Sequence, residues 1–215
     1  MCGIVASFSK EKLKELILLN QSRGTFSHSL MVLETAQQMP LKQIALHKGF
    51  GEFNFDLLDE YEDGKNYYYI THVQAPTQGL VADYVRIHPS TIDNTYLYHN
   101  GIIQNKTLDV IKANNDKLKN LSWDTELFHY HIKDNINNVN EINGSFACIY
   151  IENSIKLFRN SMSILHYDFD LNISSTGFDG ALELFPGQVF RLDLTTKTLD
   201  KEFNFTCEKN YFFAD

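Results

Sequence analysis

Cys2 can hold two reactive groups at once. Removal of Met1 would leave a thiol and an α-amine on one residue. The amine has a pKa of about 7.7–8.0 and the thiol one of about 8.5, so near neutrality the amine can take the thiol's proton. A nucleophile arranged this way needs no separate histidine. The plainer reading makes Cys2 a small hydrophobe at the start of a strand. Thiolate attack on a carboxamide creates an oxyanion, which needs preorganised donors. Asn100 carries a side-chain amide and Gly101 adds a backbone N–H. Asn-Gly is also a common hairpin turn. Asp124 reads on its own as a helix N-cap. His72, His88 and His99 lack paired ligand spacing, so they read as hydrogen-bonded core or loop histidines and not as a metal set. Cys2, Cys148 and Cys207 form no disulfide or zinc pattern, and Cys148 sits in an apolar, core-forming run.

The elements that must position these residues follow from periodicity. Gly3 to Ser9 is an apolar run that predicts a buried strand, with Cys2 at its head. Ser9 is placed to cap a helix over 10–21, where Leu13, Leu16, Ile17 and Leu19 share a face. Gly24 reads as a left-handed helix terminator. Strands are expected near 29–34, 43–47, 67–74, 96–99, 145–151, 155–158, 164–167 and 188–194, with Pro186-Gly187 as a turn before the last. Helices are expected at 106–114 and 124–136. The order is strands, central helices, strands, with no linker or repeat, so 1–215 reads as one domain of mixed α and β structure.

Composition narrows the function classes. The chain has 215 residues, 43% of them hydrophobic and 21% charged, which suits a globular protein with a sizeable core. A net charge of −8 argues against a nucleic-acid partner and gives no reason to expect an anionic membrane surface. The N-terminus lacks the basic start and long apolar stretch of a secretory signal, so the cytoplasm is expected.

Several segments resemble, in order, those of class II glutamine amidotransferases. They are Met1-Cys2-Gly3-Ile4-Val5, Arg23-Gly24, Thr71–Gly79, Arg86-Ile87-His88-Pro89, Tyr98–Asn105, Trp123-Asp124-Thr125-Glu126, Gly144-Ser145-Phe146-Ala147, Phe158-Arg159-Asn160 and Leu184–Leu192. The resemblance implies an α+β fold, the four-layer αββα sandwich of the N-terminal-nucleophile hydrolases. It implies hydrolysis of L-glutamine to glutamate and ammonia through a Cys2 thioester, with no cofactor and no metal. Asn100 and Gly101 would hold the oxyanion. Asp124 would bind the substrate's α-ammonium group and Thr77 would orient the amino-acid end. Arg23 would tie the nucleophile's strand to the following loop, with His72 as structural support.

Two departures stand out. Gln74 occupies the place of a family arginine that pairs with the substrate α-carboxylate, and a neutral amide is a weaker partner than a guanidinium. Arg86 is the candidate replacement. The chain also ends at Asp215 without an acceptor domain, and free ammonia is mostly protonated at pH 7, so a separate ammonia-accepting synthetase is the expected partner. Two alternatives remain: an N-terminal-cysteine acylase acting on another amide, and a degenerate amidotransferase-like domain that binds without catalysis.

Overall fold

The computed structural model describes residues 2–35, 41–62, 66–75 and 83–206. Thr77 and Cys207 lie outside the described residues. The chain opens with β1 (Gly3–Ser7), every residue of which is buried, as its unbroken apolar run requires. Ser9 caps α1 (Lys10–Gln21) as expected, its Oγ accepting the Lys12 N–H at 3.1 Å. Next come β2 (Ser27–Glu34), β3 (Lys42–Phe50), β4 (Tyr67–Gln74), β5 (Ser90–Ile92) and β6 (Thr95–Ile103). The central helices are α2 (Asn105–Ala113) and α3 (Asp124–Ile132). The second half holds β7 (Gly144–Ile151), β8 (Ile155–Arg159), β9 (His166–Tyr167), β10 (Ile173–Ser174), β11 (Leu182–Glu183), β12 (Gln188–Asp193) and β13 (Thr198–Asn204).

These strands form two antiparallel sheets. One runs β11-β9-β10-β1-β4-β2-β3 and the other β13-β12-β8-β7-β6-β5. Side-chain alternation sorts the residues into layers. Ile4 and Ala6 of β1 point into the core between the sheets, where they meet Ala147, Ile149 and Ile151 of β7. Val5 points the other way, to Leu13, Leu16 and Ile17 of α1. On the far side, Phe146, Cys148 and Tyr150 of β7 pack on Leu108 of α2 and on Leu127 and Phe128 of α3. The order is helix, sheet, sheet, helices: a four-layer αββα sandwich with three stacked apolar layers.

Several elements differ from expectation. The strand expected at 96–99 continues to Ile103, so Asn100-Gly101 lies inside β6, paired with Ala147 and Phe146, and is no hairpin turn. The second central helix stops at Ile132, short of 136, because Asn135 accepts the Asn137 N–H and starts a separate 3-10 turn. Gly24 is not a left-handed terminator. Its need for glycine is a close approach: a Cβ there would lie 2.3 Å from the Ala75 nitrogen. The strand expected at 164–167 shrinks to His166–Tyr167. β13 was not expected, being a mostly exposed strand at the end of its sheet with little apolar alternation. Among the described residues, no helix is long and apolar enough to cross a membrane.

Candidate active site

Cys2 heads β1, the middle strand of its sheet, and is 7% exposed. Its Sγ donates to the Ala75 carbonyl at 3.6 Å. Arg23 Nε donates to the Cys2 carbonyl at 2.8 Å, so the loop after α1 is fastened to Cys2. Burial pushes the thiol's pKa up and Asp124 adds to that, while the Ala75 contact and Arg23 oppose it. The resting group is therefore a neutral thiol, which would need a base to act as a nucleophile.

Asn100 reaches Cys2's strand from the other sheet. Its Nδ2 donates to Ser175 Oγ at 3.2 Å, and the same oxygen accepts the Ile4 N–H at 3.0 Å. Ser175 N–H in turn donates to the Ile4 carbonyl at 2.9 Å. One hydroxyl thus joins β1 to the amide of β6. Gly101 follows with φ +150, and a Cβ there would lie 1.9 Å from the Ser145 carbonyl, so only glycine fits. Ser175 was not singled out from sequence. A serine just past a two-residue strand has no local signature, and its partners lie 75 and 171 residues away.

Asp124, Gln74 and Arg86 lie on the β4 and β5 side of Cys2. Asp124 is the first residue of α3, with Trp123 in the cap position. It is 5% exposed, and its two oxygens accept the Thr125 and Ile103 N–H groups at 2.8 and 3.3 Å. Gln74 accepts from Ser27 Oγ at 3.0 Å and donates to the Arg86 carbonyl at 3.3 Å. The Arg86 guanidinium is engaged elsewhere, donating to Ser122 Oγ at 2.7 Å with Asp83 at 3.6 Å.

The three histidines form a buried group behind this side. His99 Nε2 lies 3.3 Å from the Ser145 carbonyl, which can only accept, so Nε2 carries the proton. Nδ1 then accepts from Thr125 Oγ1 at 3.0 Å, and that oxygen accepts from His88 Nε2 at 3.2 Å. His72 stacks on His88 with ring centroids 4.0 Å apart. The expectation that all three are hydrogen-bonded fails for His72, whose ring nitrogens make no regular hydrogen bond among the described residues. Burial lowers all three pKa values, that of His72 to about 3 against an upward pull from the His99 backbone, and that of His88 well below the ordinary range. They are neutral at pH 7 and supply shape and polarity, not charge. Among the described residues no group of His, Cys, Asp or Glu is arranged to hold a metal.

On the other side of Cys2 a cavity of about 430 Å³ opens. It is lined by Cys2, Asn100, Gly101 and Ser175, together with Arg23. Its lining also includes Ile102, Met162 and Ile164, which are 43%, 41% and 47% exposed. The loop bearing Met162 and Ile164 is held from beneath. Asn160 Oδ1 accepts the Phe146 and Met162 N–H groups at 3.2 Å each, and Arg159 Nη1 donates to the Ser163 carbonyl at 2.9 Å.

No family model matches the chain, and no curated protein matches it either. Solved structures do match. One is a glutamine phosphoribosylpyrophosphate (PRPP) amidotransferase from B. subtilis complexed with ADP and GMP, with TM-score 0.68 and 18% identity over 97% of this chain and 50% of that one. Another is described as the allosteric regulatory enzyme of purine biosynthesis, with TM-score 0.69, 18% identity and the same coverage. The chain thus spans about half the length of these structures. The sandwich is the N-terminal-nucleophile hydrolase fold that they share.

Proposed function

We propose that residues 1–215 form one class II glutaminase domain that hydrolyses L-glutamine at Cys2. The observation that carries this reading is the junction at Ser175. It holds Asn100, the candidate oxyanion donor, against the strand headed by a buried thiol, across two sheets. Such preorganisation is what transition-state stabilisation requires.

With Met1 removed, the Cys2 amine takes the thiol proton as sulfur attacks the carboxamide. Asn100 Nδ2 has a second hydrogen for the developing oxyanion, and Gly101 N–H is the other donor. The C–N bond breaks, ammonia leaves with the proton, and water releases glutamate from the thioester. Asp124 would accept the substrate α-ammonium group and Thr77 would orient the amino-acid end. Gln74 would take the α-carboxylate with neutral hydrogen bonds, with Arg86 contributing charge if it leaves Asp83 and Ser122. His72 would support this side by packing alone. Ammonia is mostly protonated at pH 7, so a synthetase that receives it directly is the fitting partner. A catalytic free thiol suits the reducing cytoplasm.

The test is glutamate release from glutamine, with and without a thiol alkylator, and with a non-cleavable extension ahead of Cys2. Activity lost to both treatments supports the mechanism. Full activity with Cys2 still internal rules out the α-amine as base. The acylase reading draws support from the engagement of Gln74 and Arg86 with other groups. It replaces ours if amides lacking an α-carboxylate are hydrolysed as well as glutamine. A chain that binds glutamine but hydrolyses no amide would instead be a degenerate binding domain.

A further inference from the structure

Strand order divides the surroundings of Cys2 into two flanks. In its own sheet β1 has β4 on one side and β10 on the other, and in the facing sheet β6 has β5 on one side and β7 then β8 on the other. The sheets face each other in that sense. Gln74 at the end of β4 bonds to Arg86 ahead of β5, while Arg159 of β8 reaches Leu184 beyond β11. The groups suited to an amino acid's charged end, Gln74, Asp124 and Arg86, share the β4/β5 flank. The cavity, with Ser175, Met162 and Ile164, lies on the β10/β8 flank. A γ-carboxamide attacked at Cys2 therefore has its acyl chain on the first flank and its leaving nitrogen on the second.

Ammonia needs little room there. A molecule of water size occupies roughly 30 Å³ in the liquid. The cavity offers about 430 Å³, within the range of small-ligand pockets. No carboxylate lines it among the described residues, and Ile102, Met162 and Ile164 stand partly exposed on a wall held in place by Arg159 and Asn160. A preformed, mostly apolar lining in the same cavity as Cys2 suits an apolar substituent.

We infer that this cavity holds the amine portion of a secondary amide, so that the chain hydrolyses γ-glutamyl amides of apolar amines as well as glutamine. The inference rests on the hydrolase reading of Cys2. Sulfur bonds to the γ-carbonyl carbon and the C–N bond breaks. The nitrogen takes the proton held by the Cys2 amine and leaves as RNH₂, and water converts the thioester to glutamate and free thiol. The sum is one amide plus one water giving glutamate plus one amine.

The experiment measures glutamate release from glutamine and from the γ-glutamyl methyl-, propyl- and hexylamides. It uses the native chain, Met162→Trp to fill the cavity, and Ile164→Asp to make its wall polar, with melting curves for each. The native chain should gain about fourfold in kcat/KM per methylene until the cavity is filled. Each variant should lower the hexylamide-to-glutamine ratio of kcat/KM at least tenfold, and the ratio is independent of any partial loss of folded protein. Glutamine hydrolysis without any gain along the series overturns the inference and leaves the glutaminase reading standing. So does a gain that both variants leave untouched, because the amine then binds elsewhere. Failure to hydrolyse glutamine or any of the amides overturns both.

Discussion

The two flanks of Cys2 are built from different materials. On the β4/β5 flank most polar groups are paired: Gln74 with Ser27 and the Arg86 backbone, Asp124 with two N–H groups, and His88 and His99 with Thr125, while buried His72 makes no regular hydrogen bond among the described residues. On the β10/β8 flank apolar side chains stand open over a cavity, and the hydrogen bonds lie beneath them. A polar lining must be paired or hydrated to avoid a desolvation cost, whereas an apolar wall can wait empty. Between the flanks runs the seam of Cys2 and Asn100, which Ser175 bridges from the β10/β8 side. In the proposed mechanism the seam carries the reaction chemistry and the flanks carry selection.

Removing the seam's nucleophile should have the largest effect. Cys2→Ala is expected to abolish hydrolysis of every amide, by at least about 10⁴-fold, while leaving the thermal midpoint intact. Residual turnover of one substrate class alone would show that a flank carries its own chemistry. Next comes the oxyanion donor. Asn100→Ala should lower kcat about 10²–10³-fold, roughly 3 kcal/mol, with little change in KM. Ser175→Ala should do less, and its loss should not add to that of Asn100→Ala, because Ser175 acts through Asn100. Additive losses would separate the two and weaken the seam.

The polar flank can be probed by pH. The His72 pKa is depressed from 6.5 to about 3, so the folded state binds fewer protons than the unfolded one. Stability is then fully present above pH 6.5 and is lost as pH falls toward 3. At pH 5 the loss should be about 2 kcal/mol from this residue, and denaturant titration of His72→Gln should show a flatter profile in that window. Equal slopes in both proteins would mean that His72 is hydrated and charged.

The smallest expected effect sharpens recognition. Gln74→Arg should lower KM for glutamine about tenfold with kcat unchanged, since charge-assisted bonds are about twice as strong as neutral ones. If Arg86 already supplies the charge, Gln74→Arg does little and Arg86→Ala raises KM steeply. Hexylamide turnover in the same variants separates the flanks, because the α-carboxylate is common to both substrates and the amine is not.

Much of this arrangement was readable from residue types and local periodicity. The buried run of β1, the Ser9 cap and the amphipathic face of α1 follow from short-range rules, and so does the placement of a thiol at a strand head. Resemblance marked Asn100, Gly101 and Asp124, yet local pattern made Asn100-Gly101 equally a turn. Only pairing with β7 placed it within a strand, because ladder partners are long-range information. β13 escaped notice for the opposite reason: its residues are mostly exposed, and little apolar alternation survives to mark it.

The sequence by itself determined that a thiol stands at position 2, an Asn-Gly pair at 100–101 and a neutral amide at position 74, because those are properties of side-chain chemistry at a given place in the chain; their proposed roles came from resemblance. Tertiary structure alone decided that Ser175 joins Ile4 to Asn100, that Arg86 is turned toward Asp83 and Ser122, and that Met162 and Ile164 line one cavity with Cys2. Each of these depends on which strands become neighbours in two stacked sheets. That choice is made by burying three apolar layers at once, and no local window of sequence contains it.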